Sequence, residues 1–353
     1  MSSILDLVRP EIRRMKPYRS AQFADGLVRL NANENPWRPP GDQSNAGLNR
    51  YPEPRPFELT ASLAAHFGVA AAQVLVTRGS SEAIDVVIRG FCRAGRDGIV
   101  ICPPTFGMYE TYAQIQDAPI RRVALLRDRG YAVDVDGILD QWSAATRVLF
   151  LCSPNNPTGN SMALADIHRL ATALDGRGVV VLDGAYAEFS ATDPTQELLG
   201  QHANVIVLRT LSKALALAGV RCGALLAAPE LVALLGCVLP PYTFPSPCAE
   251  AVQRCLEPGH AAEWRRRVER LRAERARLAA ALASLPDIRR VWPSDANFLL
   301  VEAVDAPRLV EAARRGGVLL RDFSWDPGLP DCVRITVGDP AENDQLLAAL
   351  GRP

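Results

Sequence analysis

Short apolar segments alternate with helix-like patterns along the first two thirds of the chain. Valine, isoleucine and leucine dominate the segments, and between the first two Ile84, Val87, Ile88 and Phe91 recur at helical spacing. This alternation predicts an α/β fold with a mostly parallel sheet that helices cover on both faces. The predicted strands are 73–77, 97–102, 147–152, 178–183, 204–208 and 222–227.

The pattern changes after about residue 240. A proline-rich turn at 240–247 is followed by an arginine-rich segment at 263–282. Its apolar positions at helical spacing are Trp264, Val268, Leu271, Leu278 and Leu282. Glutamates are interleaved with the arginines, so we expect a solvated amphipathic helix. We predict an N-terminal arm (1–30), a large domain (31–249) and a smaller C-terminal α+β domain (250–353).

Charge and composition exclude several classes of protein. The chain has 39 basic and 39 acidic residues, which gives no electrostatic reason to expect a nucleic acid or an anionic membrane as partner. It contains no apolar run of membrane-spanning length, and its start lacks a signal-peptide core. The eight cysteines include no C-x-x-C pair, and the histidines lack metal-ligand spacing. We therefore expect a cytoplasmic protein with reduced thiols and no metal.

The distribution of cations draws attention to one residue. The chain contains only two lysines, Lys16 and Lys213, against 37 arginines, and Lys213 lies in the segment "LRTLSKALALAGVRCG" (208–223). Arginine stays protonated in proteins, whereas a lysine amine can lose its proton and attack a carbonyl to form a Schiff base. A leftover surface lysine explains this residue alone equally well, so its neighbours must decide.

Polar residues follow two predicted strands at the edge where an open α/β sheet collects its functional groups. Asp183 closes an apolar run and would need a hydrogen-bonding or cationic partner to stay charged, and Tyr186 follows it. Asn156 lies in the turn "SPNNPTG" (153–159), where the following proline restricts it. A helix cap and a rigid turn remain structural alternatives for Asp183 and Asn156.

A further group of residues suits an anion. The segment Gly79-Ser80-Ser81 begins the helix after the first strand, and backbone N–H groups at such a terminus favour a phosphate, although serine there is also an ordinary N-cap. Thr210 and Ser212 flank Lys213, and Arg221 precedes the next strand. An amine, a carboxylate, a phenol, an amide and an anion site together meet the needs of pyridoxal 5′-phosphate.

The chain resembles the histidinol-phosphate aminotransferases over nearly its full length. These belong to the fold-type I pyridoxal-phosphate aminotransferases, class II subfamily. The segments that carry the resemblance are "LNANENP" (30–36), "NRYPEP" (49–54), "VTRGSSEAID" (76–85), "CPPTFGMY" (102–109), "CSPNNPTG" (152–159), "RTLSKALALAGVRCG" (209–223) and "CVRITVG" (332–338). The lysine, Asn-Pro and Asp-x-x-Tyr motifs are shared widely in the superfamily, while "TFGMY", "RTLSKALALAGVRCG" and "VRITVG" indicate this branch.

The resemblance implies a role for each residue around the cofactor ring. Lys213 forms the Schiff base with the cofactor and, once displaced by substrate, moves the proton between Cα and C4′. Asp183 pairs with the pyridinium nitrogen and strengthens the ring as an electron sink. Tyr186 and Asn156 bind the ring oxygen, and Tyr109 stacks on the ring face.

The resemblance also implies the binding groups for phosphate and substrate. The implied phosphate-binding residues are Gly79, Ser80, Ser81, Thr210, Ser212 and Arg221, with Tyr51 from the neighbouring subunit of a homodimer whose active sites are shared. The implied substrate residues are Arg334 and Arg321, aided by Tyr18 and Asn33. Two guanidinium groups suit a pocket that takes both carboxylates and a phosphate, although structural ion pairs are an alternative for both arginines.

The implied reaction converts histidinol phosphate and 2-oxoglutarate to imidazole acetol phosphate and glutamate, a step of histidine biosynthesis. An aromatic amino-acid aminotransferase, a lyase of the threonine-phosphate decarboxylase type and a non-catalytic ligand-binding protein are the alternatives. One residue departs from the family pattern, because Gly184 stands where the family commonly has glutamate after the aspartate. That position is not among the implied cofactor contacts, so we expect activity to survive, with substrate preference left open.

Overall fold

A computed structural model describes residues 3–21, 27–45 and 47–351. The predicted N-terminal arm therefore lies partly outside the described residues, at 1–2 and 22–26, as does the end of the predicted C-terminal domain at 352–353. The strands are β1 (Val74–Thr77), β2 (Gly98–Ile101), β3 (Ile120–Arg122), β4 (Thr146–Cys152), β5 (Val179–Asp183), β6 (Val205–Thr210), β7 (Gly223–Leu226), β8 (Ile288–Val291), β9 (Phe298–Ala303), β10 (Arg321–Asp322) and β11 (Cys332–Thr336).

Helices precede and follow most strands. They are α1 (Pro10–Arg13), α2 (Phe57–Phe67), α3 (Ser80–Phe91), α4 (Met108–Ile115), α5 (Val135–Gln141), α6 (Leu164–Ala173), α7 (Thr195–Gln201), α8 (Pro229–Gly236), α9 (Ser246–Cys255), α10 (Ala261–Ala283), α11 (Ala306–Arg315) and α12 (Pro340–Ala349). The predicted amphipathic helix is α10, which buries Val268, Leu278 and Leu282. The predicted boundary after residue 249 falls within α9, and both domain boundaries stay predictions.

Two sheets organise the described part of the chain. The first has seven strands in the order β1-β7-β6-β5-β4-β2-β3, and the second has four in the order β10-β11-β9-β8. In the first sheet β3, β2, β4, β5 and β6 are parallel, while β7 runs antiparallel to both β6 and β1. All pairings in the second sheet are antiparallel. The mostly parallel sheet and the smaller C-terminal α+β unit are confirmed.

The central strands are buried on both faces. In β5, Val180 and Leu182 belong to one apolar cluster, while Val179 and Val181 belong to a second cluster on the opposite face. Successive side chains of a strand point to opposite faces, so a strand that is apolar at every position requires cover on both. Helix α3 supplies part of that cover through its buried face, which was predicted from Ile84, Val87, Ile88 and Phe91.

Within the seven-stranded sheet, the strand predictions differ from the structure in two respects. β3 was not predicted, because its three residues, Ile-Arg-Arg, are largely exposed at the sheet edge and show no apolar run. β7 was predicted as a strand, but its antiparallel direction cannot be inferred from an apolar run alone. The six predicted strands all exist, with ends that differ by two residues at most.

A buried ion-pair cluster ties the end of β6 to the chain after β5. The Arg209 side chain is 3% exposed, and its Nη2 and Nη1 donate to Glu188 Oε1 (2.7 Å) and Asp193 Oδ2 (2.5 Å). Burial acts to lower the pKa of Arg209, but the two carboxylates outweigh it and raise that pKa. Removal of the cation would leave buried carboxylate charge without a partner, which is costly in protein interiors.

We expect Arg209→Met to lower the free energy of unfolding by about 3–5 kcal/mol, the usual cost of breaking a buried pair. The matched control is Arg169→Met, because the Arg169–Asp136 pair (2.5 Å) is more than half exposed on both sides. Exposed pairs contribute about 0–1 kcal/mol, so the control should change little. Urea denaturation of both variants measures the difference, and equal effects would contradict the assignment.

Candidate functional site

The parallel strands bring the predicted cofactor residues to one edge of the sheet. Cys152 and Leu208 pair with Asp183 from the two sides, so the carboxyl ends of β4, β5 and β6 lie together. Asn156 follows β4, Tyr186 follows β5 and Lys213 follows β6. This edge is where open α/β sheets bind ligands, because the loops beyond the strands leave a crevice there.

Asp183 is a buried carboxyl at the end of the central strand. Its residue is 2% exposed, and its oxygens accept hydrogen bonds from the Tyr109 hydroxyl (2.7 Å) and the Ala185 N–H (3.1 Å). No ion pair joins it to a cation among the residues that the structure describes. Desolvation raises the pKa of Asp183 to about 6, and the two hydrogen bonds only partly oppose that rise.

Tyr109 orients the Asp183 carboxyl through a hydrogen bond. The ring is fully buried in α4 and stacks on Phe150 with centroids 4.8 Å apart, while the hydroxyl contacts Asp183. Burial, followed by the charge of Asp183, raises the pKa of Tyr109, so the phenol stays protonated and donates. The sequence did not predict this contact, and the stacking of Tyr109 on the cofactor ring stays a prediction.

Lys213 lies in the loop after β6 with its amine in the crevice. The Nζ atom is 5.7 Å from the centre of the Tyr186 ring. The side chain is accessible, but the surrounding protein displaces enough water for desolvation to lower its pKa, and Arg334 and Arg221 act in the same direction. A lysine with a lowered pKa is a better nucleophile near neutral pH, since more of it is unprotonated.

A hydrogen-bonded chain runs from the crevice wall to the second sheet. Asn156 Nδ2 donates to the Tyr186 hydroxyl (3.4 Å), and Asn156 Oδ1 accepts from Arg334 Nη1 (2.5 Å). Burial raises the pKa of Tyr186. The two residues predicted to bind a ring oxygen are therefore neighbours, and the same amide fixes the position of a predicted substrate arginine.

The two predicted substrate arginines are direct partners across antiparallel strands. Arg321 in β10 pairs with Arg334 in β11, and both guanidinium groups lie near the Phe323 ring, at 5.7 and 5.5 Å from its centre. Like charges directly opposite in a sheet are unfavourable. Neither arginine forms an ion pair with a carboxylate of the described residues; desolvation is the main reason that the pKa of Arg334 is lowered. This arrangement favours a bound anion over a structural ion pair.

The residues that are predicted to bind phosphate, at 79–81 and 210–221, form a cradle where β7 lies between β1 and β6. Gly223 pairs with Thr77 on one side and with Thr210 on the other. A Cβ atom at Gly223 would lie 2.8 Å from the Gly79 backbone, so only glycine allows the two segments to approach. Gly79, with a φ of +81°, precedes α3, and a Cβ there would lie 3.0 Å from Arg221 Nη2.

Hydroxyl groups line the same cradle. Thr210 donates to Ser212 Oγ (2.9 Å), and Arg221 Nη1 contacts the same Ser212 Oγ (3.4 Å). Arg221 has a φ of +58°, a left-handed conformation that costs free energy for a residue with a side chain. Ser80 and Ser81 begin α3, and no side chain caps its first N–H groups. The cradle therefore presents donors and a cation that has no carboxylate partner among the described residues, an arrangement that suits a phosphate.

The structure does not join the three N-terminal residues to this group. Among the described residues, no hydrogen bond or ring contact links Tyr18, Asn33 or Tyr51 to Lys213 or its neighbours. Tyr18 and Tyr51 are 71% and 51% exposed, and the Tyr51 ring packs at 4.8 Å on Tyr242. Asn33 has a φ of +55°, which asparagine tolerates better than most residues. Their site roles stay predictions.

Gly184 lies beside the buried arginine of the Arg209 cluster. A Cβ at this position would be 3.3 Å from Arg209 Cδ and 3.4 Å from the Leu208 carbonyl oxygen. A larger residue would thus require Arg209 to shift by a few tenths of an ångström. The position touches none of the predicted cofactor groups, in agreement with the expectation that activity survives, which stays a prediction.

The residues at this edge fit pyridoxal 5′-phosphate. Asp183 is a buried carboxyl without a cation and suits a protonated ring nitrogen. The cradle at Gly79 and Arg221 suits the phosphate, and Lys213 follows β6 at the same edge with a lowered pKa. The described residues contain no group of three or more His, Cys, Asp or Glu side chains that could hold a metal ion, and none of their helices is long and apolar enough to cross a membrane.

A family model for aminotransferase class I and II matches residues 27–350. The chain belongs to this family. It is 45% identical over 354 residues to a histidinol-phosphate aminotransferase of Stenotrophomonas maltophilia, with 99% of this chain and 97% of the relative covered.

Two solved structures share the fold. A histidinol-phosphate aminotransferase of Sinorhizobium meliloti in complex with pyridoxal-5′-phosphate superposes with a TM-score of 0.76 at 25% identity, covering 85% of this chain and 82% of the other. An L-threonine-O-3-phosphate decarboxylase of Porphyromonas gingivalis superposes with a TM-score of 0.72, also at 25% identity, covering 86% and 90%. Transaminase and decarboxylase chemistry thus occur on similar scaffolds, so the site must distinguish them.

The raised pKa of Asp183 predicts how the cofactor-free protein responds to pH. The folded pKa of about 6 exceeds the ordinary value of 3.8, so the folded state binds more protons between these values. Its free energy of unfolding should therefore fall as the pH rises from about 4 to about 6. Asp183→Asn removes this cost, and we expect the cofactor-free variant to be more stable at pH 8 by up to about 3 kcal/mol.

Chemical denaturation of cofactor-free protein at pH 8 and pH 4 measures this effect. The advantage of Asp183→Asn should vanish at pH 4, where the native carboxyl is neutral as well. Pyridoxal phosphate should reverse the order at pH 8, because a ligand that binds the folded state stabilises it and the substituted amide cannot form an ion pair with a cation. A variant less stable than the native protein at both pH values would contradict the assigned pKa.

Proposed function

We propose that this chain is a pyridoxal-phosphate-dependent aminotransferase of histidine biosynthesis. Its amino donor is histidinol phosphate and its acceptor is 2-oxoglutarate, so that imidazole acetol phosphate and glutamate are the products. The names of the relatives support the donor, and the geometry of the crevice supports the chemistry. The homodimer, the shared active sites and the roles of individual residues belong to the same proposal.

The pairing of Arg321 with Arg334 carries the proposal. Two guanidinium groups opposite each other, without a carboxylate partner among the described residues, favour a substrate with at least two negative charges. Histidinol phosphate supplies them on its phosphate, and glutamate supplies them on its carboxylates. Arginine binds both groups bidentately, which lets one pocket serve both half-reactions. An aromatic amino acid carries a single carboxylate and uses such a pair less well.

The rings near the arginines suit the rest of the donor. Arg334 lies 5.4 Å from the centre of the Phe298 ring, and Tyr186 meets that ring edge to face at 5.1 Å. A planar imidazole can pack on such aromatic surfaces while its phosphate reaches the guanidinium groups. Asn156 forms hydrogen bonds with both Tyr186 and Arg334. It would therefore fix the distance between the anion-binding guanidinium group and the cofactor ring.

The bound cofactor supplies an aldehyde carbon and an electron-withdrawing ring. Lys213 contributes an amine with a lowered pKa, which can hold a proton or release it at the substrate carbon. Asp183 provides a carboxylate for the ring nitrogen, and the Tyr109 hydroxyl fixes the direction of that carboxylate. Tyr186 and Asn156 orient the ring from its oxygen side.

The N-terminal segment supports assembly into a dimer. Large apolar side chains that are more than half exposed in this segment are Tyr18, Leu27, Val28, Leu30, Trp37, Leu48, Tyr51 and Phe57. Concentrated exposed apolar surface is typical of protein–protein interfaces. We propose that a second copy covers this surface and that Tyr51 and Tyr18 then lie beside that copy's crevice, so that the sites are built from both subunits.

The function is tested by spectroscopy of protein loaded with pyridoxal phosphate. Histidinol phosphate without an oxo acid should convert the bound cofactor to its pyridoxamine form, and 2-oxoglutarate should restore it. Lys213→Arg should abolish the change although it keeps the charge. Arg334→Met should raise the KM for histidinol phosphate by about 10–100-fold, since charge-assisted hydrogen bonds to the anion are lost.

The control is Arg289→Met, because Arg289 pairs with Asp331 at the surface of the second sheet, away from the crevice. It should leave the KM unchanged. A response to phenylalanine or tyrosine with none to histidinol phosphate would favour the aromatic aminotransferase. Release of carbon dioxide from threonine phosphate without an oxo acid would favour the lyase.

Shared active sites are tested with mixed dimers of Lys213→Ala and Tyr51→Phe subunits. Neither variant forms an intact site alone, but a mixed dimer with shared sites contains one site with both native residues. Random mixing of equal amounts should therefore make about a quarter of all sites intact. Turnover per subunit is compared with that of each parent. If the mixture shows only half the activity of Tyr51→Phe, each subunit uses its own Tyr51 and the sites are not shared.

A further inference from the structure

The Glu34 carboxylate joins two separate segments of the N-terminal region. Its side chain is 2% exposed. Its Oε1 atom accepts from Arg29 Nη2 (2.5 Å) and from the Tyr51 N–H (2.8 Å), and Oε2 accepts from Arg50 Nη1 (2.8 Å). A further hydrogen bond joins the same two segments, from Asn49 Nδ2 to the Asn35 carbonyl oxygen (2.8 Å).

This carboxylate is held in its charged form. Burial acts to raise the pKa of Glu34, but the Tyr51 N–H, Arg50 and Arg29 together outweigh burial and lower that pKa. A buried carboxylate with two guanidinium partners and a backbone donor has fixed geometry, because each partner restrains it from a different direction. The backbone at Tyr51 is restrained in turn.

Tyr51 is therefore fixed at its backbone and supported at its ring, while half of it stays exposed. The ring packs on Tyr242, whose hydroxyl accepts from the Ala21 N–H (3.2 Å). Tyr242 has a φ of +62°, a strained conformation that the surrounding contacts must maintain. An exposed aromatic side chain that is restrained in this way is prepared for a partner outside its own subunit.

We propose that Glu34 is a positioning residue that sets the reach of Tyr51 to the cofactor phosphate bound by a second copy of this chain. This inference rests on the proposed function, in which Tyr51 contacts that phosphate. Glu34 itself touches neither the cofactor nor the substrate, and it acts through the Tyr51 N–H and Arg50. Loss of its charge shifts the Tyr51 backbone and removes one hydrogen bond to phosphate.

The test compares two ligands that differ by the phosphate alone. Dissociation constants of pyridoxal phosphate and pyridoxal are measured by absorbance titration of cofactor-free dimers. Tyr51→Phe and Glu34→Gln should each weaken pyridoxal phosphate on the order of tenfold and leave pyridoxal unchanged, as expected for one charge-assisted hydrogen bond. The double variant should be no weaker than Tyr51→Phe, because both changes remove the same contact.

Glu53→Gln is the matched control, since Glu53 is exposed two residues from Tyr51 and contacts the Phe57 N–H (3.0 Å). It should leave both affinities unchanged. An equal loss for both ligands in Glu34→Gln would indicate general damage to the site and overturn the positioning role. A selective loss in Tyr51→Phe without one in Glu34→Gln would also overturn it. Absence of a selective loss in Tyr51→Phe would instead refute the phosphate contact in the proposed function.

Arg50→Gln is the alternative test variant if Glu34→Gln does not yield a folded dimer. It leaves the contacts of Glu34 with Arg29 and the Tyr51 N–H in place and removes one restraint on the carboxylate. We expect a smaller loss for pyridoxal phosphate in the same direction, again without a loss for pyridoxal. No loss, or an equal loss for both ligands, would overturn the inference.

Discussion

The Asp183 carboxyl is buried at the end of the central strand without a cation from the described chain, and the surrounding site depends on this constraint. Burial of a charge without a partner is unfavourable, so the pKa of that carboxyl is raised in the folded protein. A bound ligand with a positive group would stabilise the charged carboxylate. Tyr109 and Ala185 orient the oxygens but neutralise neither. The position thus favours a ligand with a protonated nitrogen over an empty crevice.

The reversed direction of β7 completes the site on the other side of Lys213. Because β7 is antiparallel, its amino end lies at the same edge as the carboxyl ends of β1 and β6. Arg221, immediately before β7, therefore reaches the start of α3, and Gly223 lets the segments approach closely. The strained conformation of Arg221 persists because pairing on both sides of β7 fixes the chain that follows. The predicted phosphate site therefore depends on strand direction as much as on residue type.

The sequence predicts what local patterns encode. Apolar runs reveal the strands, and helical spacing reveals α3 and α10. Asp183 stands out because it closes an apolar run, Asn156 because a proline follows it in a turn, and Lys213 because it is one of only two lysines. Contacts between distant segments leave no such pattern. The Tyr109–Asp183 hydrogen bond joins residues 74 positions apart, and nothing near either residue indicates it. The same limit applies to Arg321 and Arg334, whose direct pairing depends on the register of β10, a strand of only two residues. Glu34 lies in the segment "LNANENP", but its partners Arg50 and Tyr51 belong to the separate segment "NRYPEP", so the sequence does not indicate these contacts. Resemblance to a family predicts which residues touch ligands, whereas the contacts that would position those residues appear only in the structure.

The crevice combines arginines with Lys213, and the two kinds of cation suit different roles, anion binding and proton transfer. Arginine stays protonated in proteins, so arginines at the predicted anion sites, Arg221, Arg321 and Arg334, suit anion binding without proton transfer. Desolvation, then Arg334 and Arg221, lowers the pKa of Lys213, so two of the arginines predicted to bind anions also favour release of its proton. Lysine in place of these arginines would itself lose protons under the same repulsion and weaken anion binding as it did so. One lysine among arginines would therefore let a single amine change its protonation state while the predicted anion sites keep their charge.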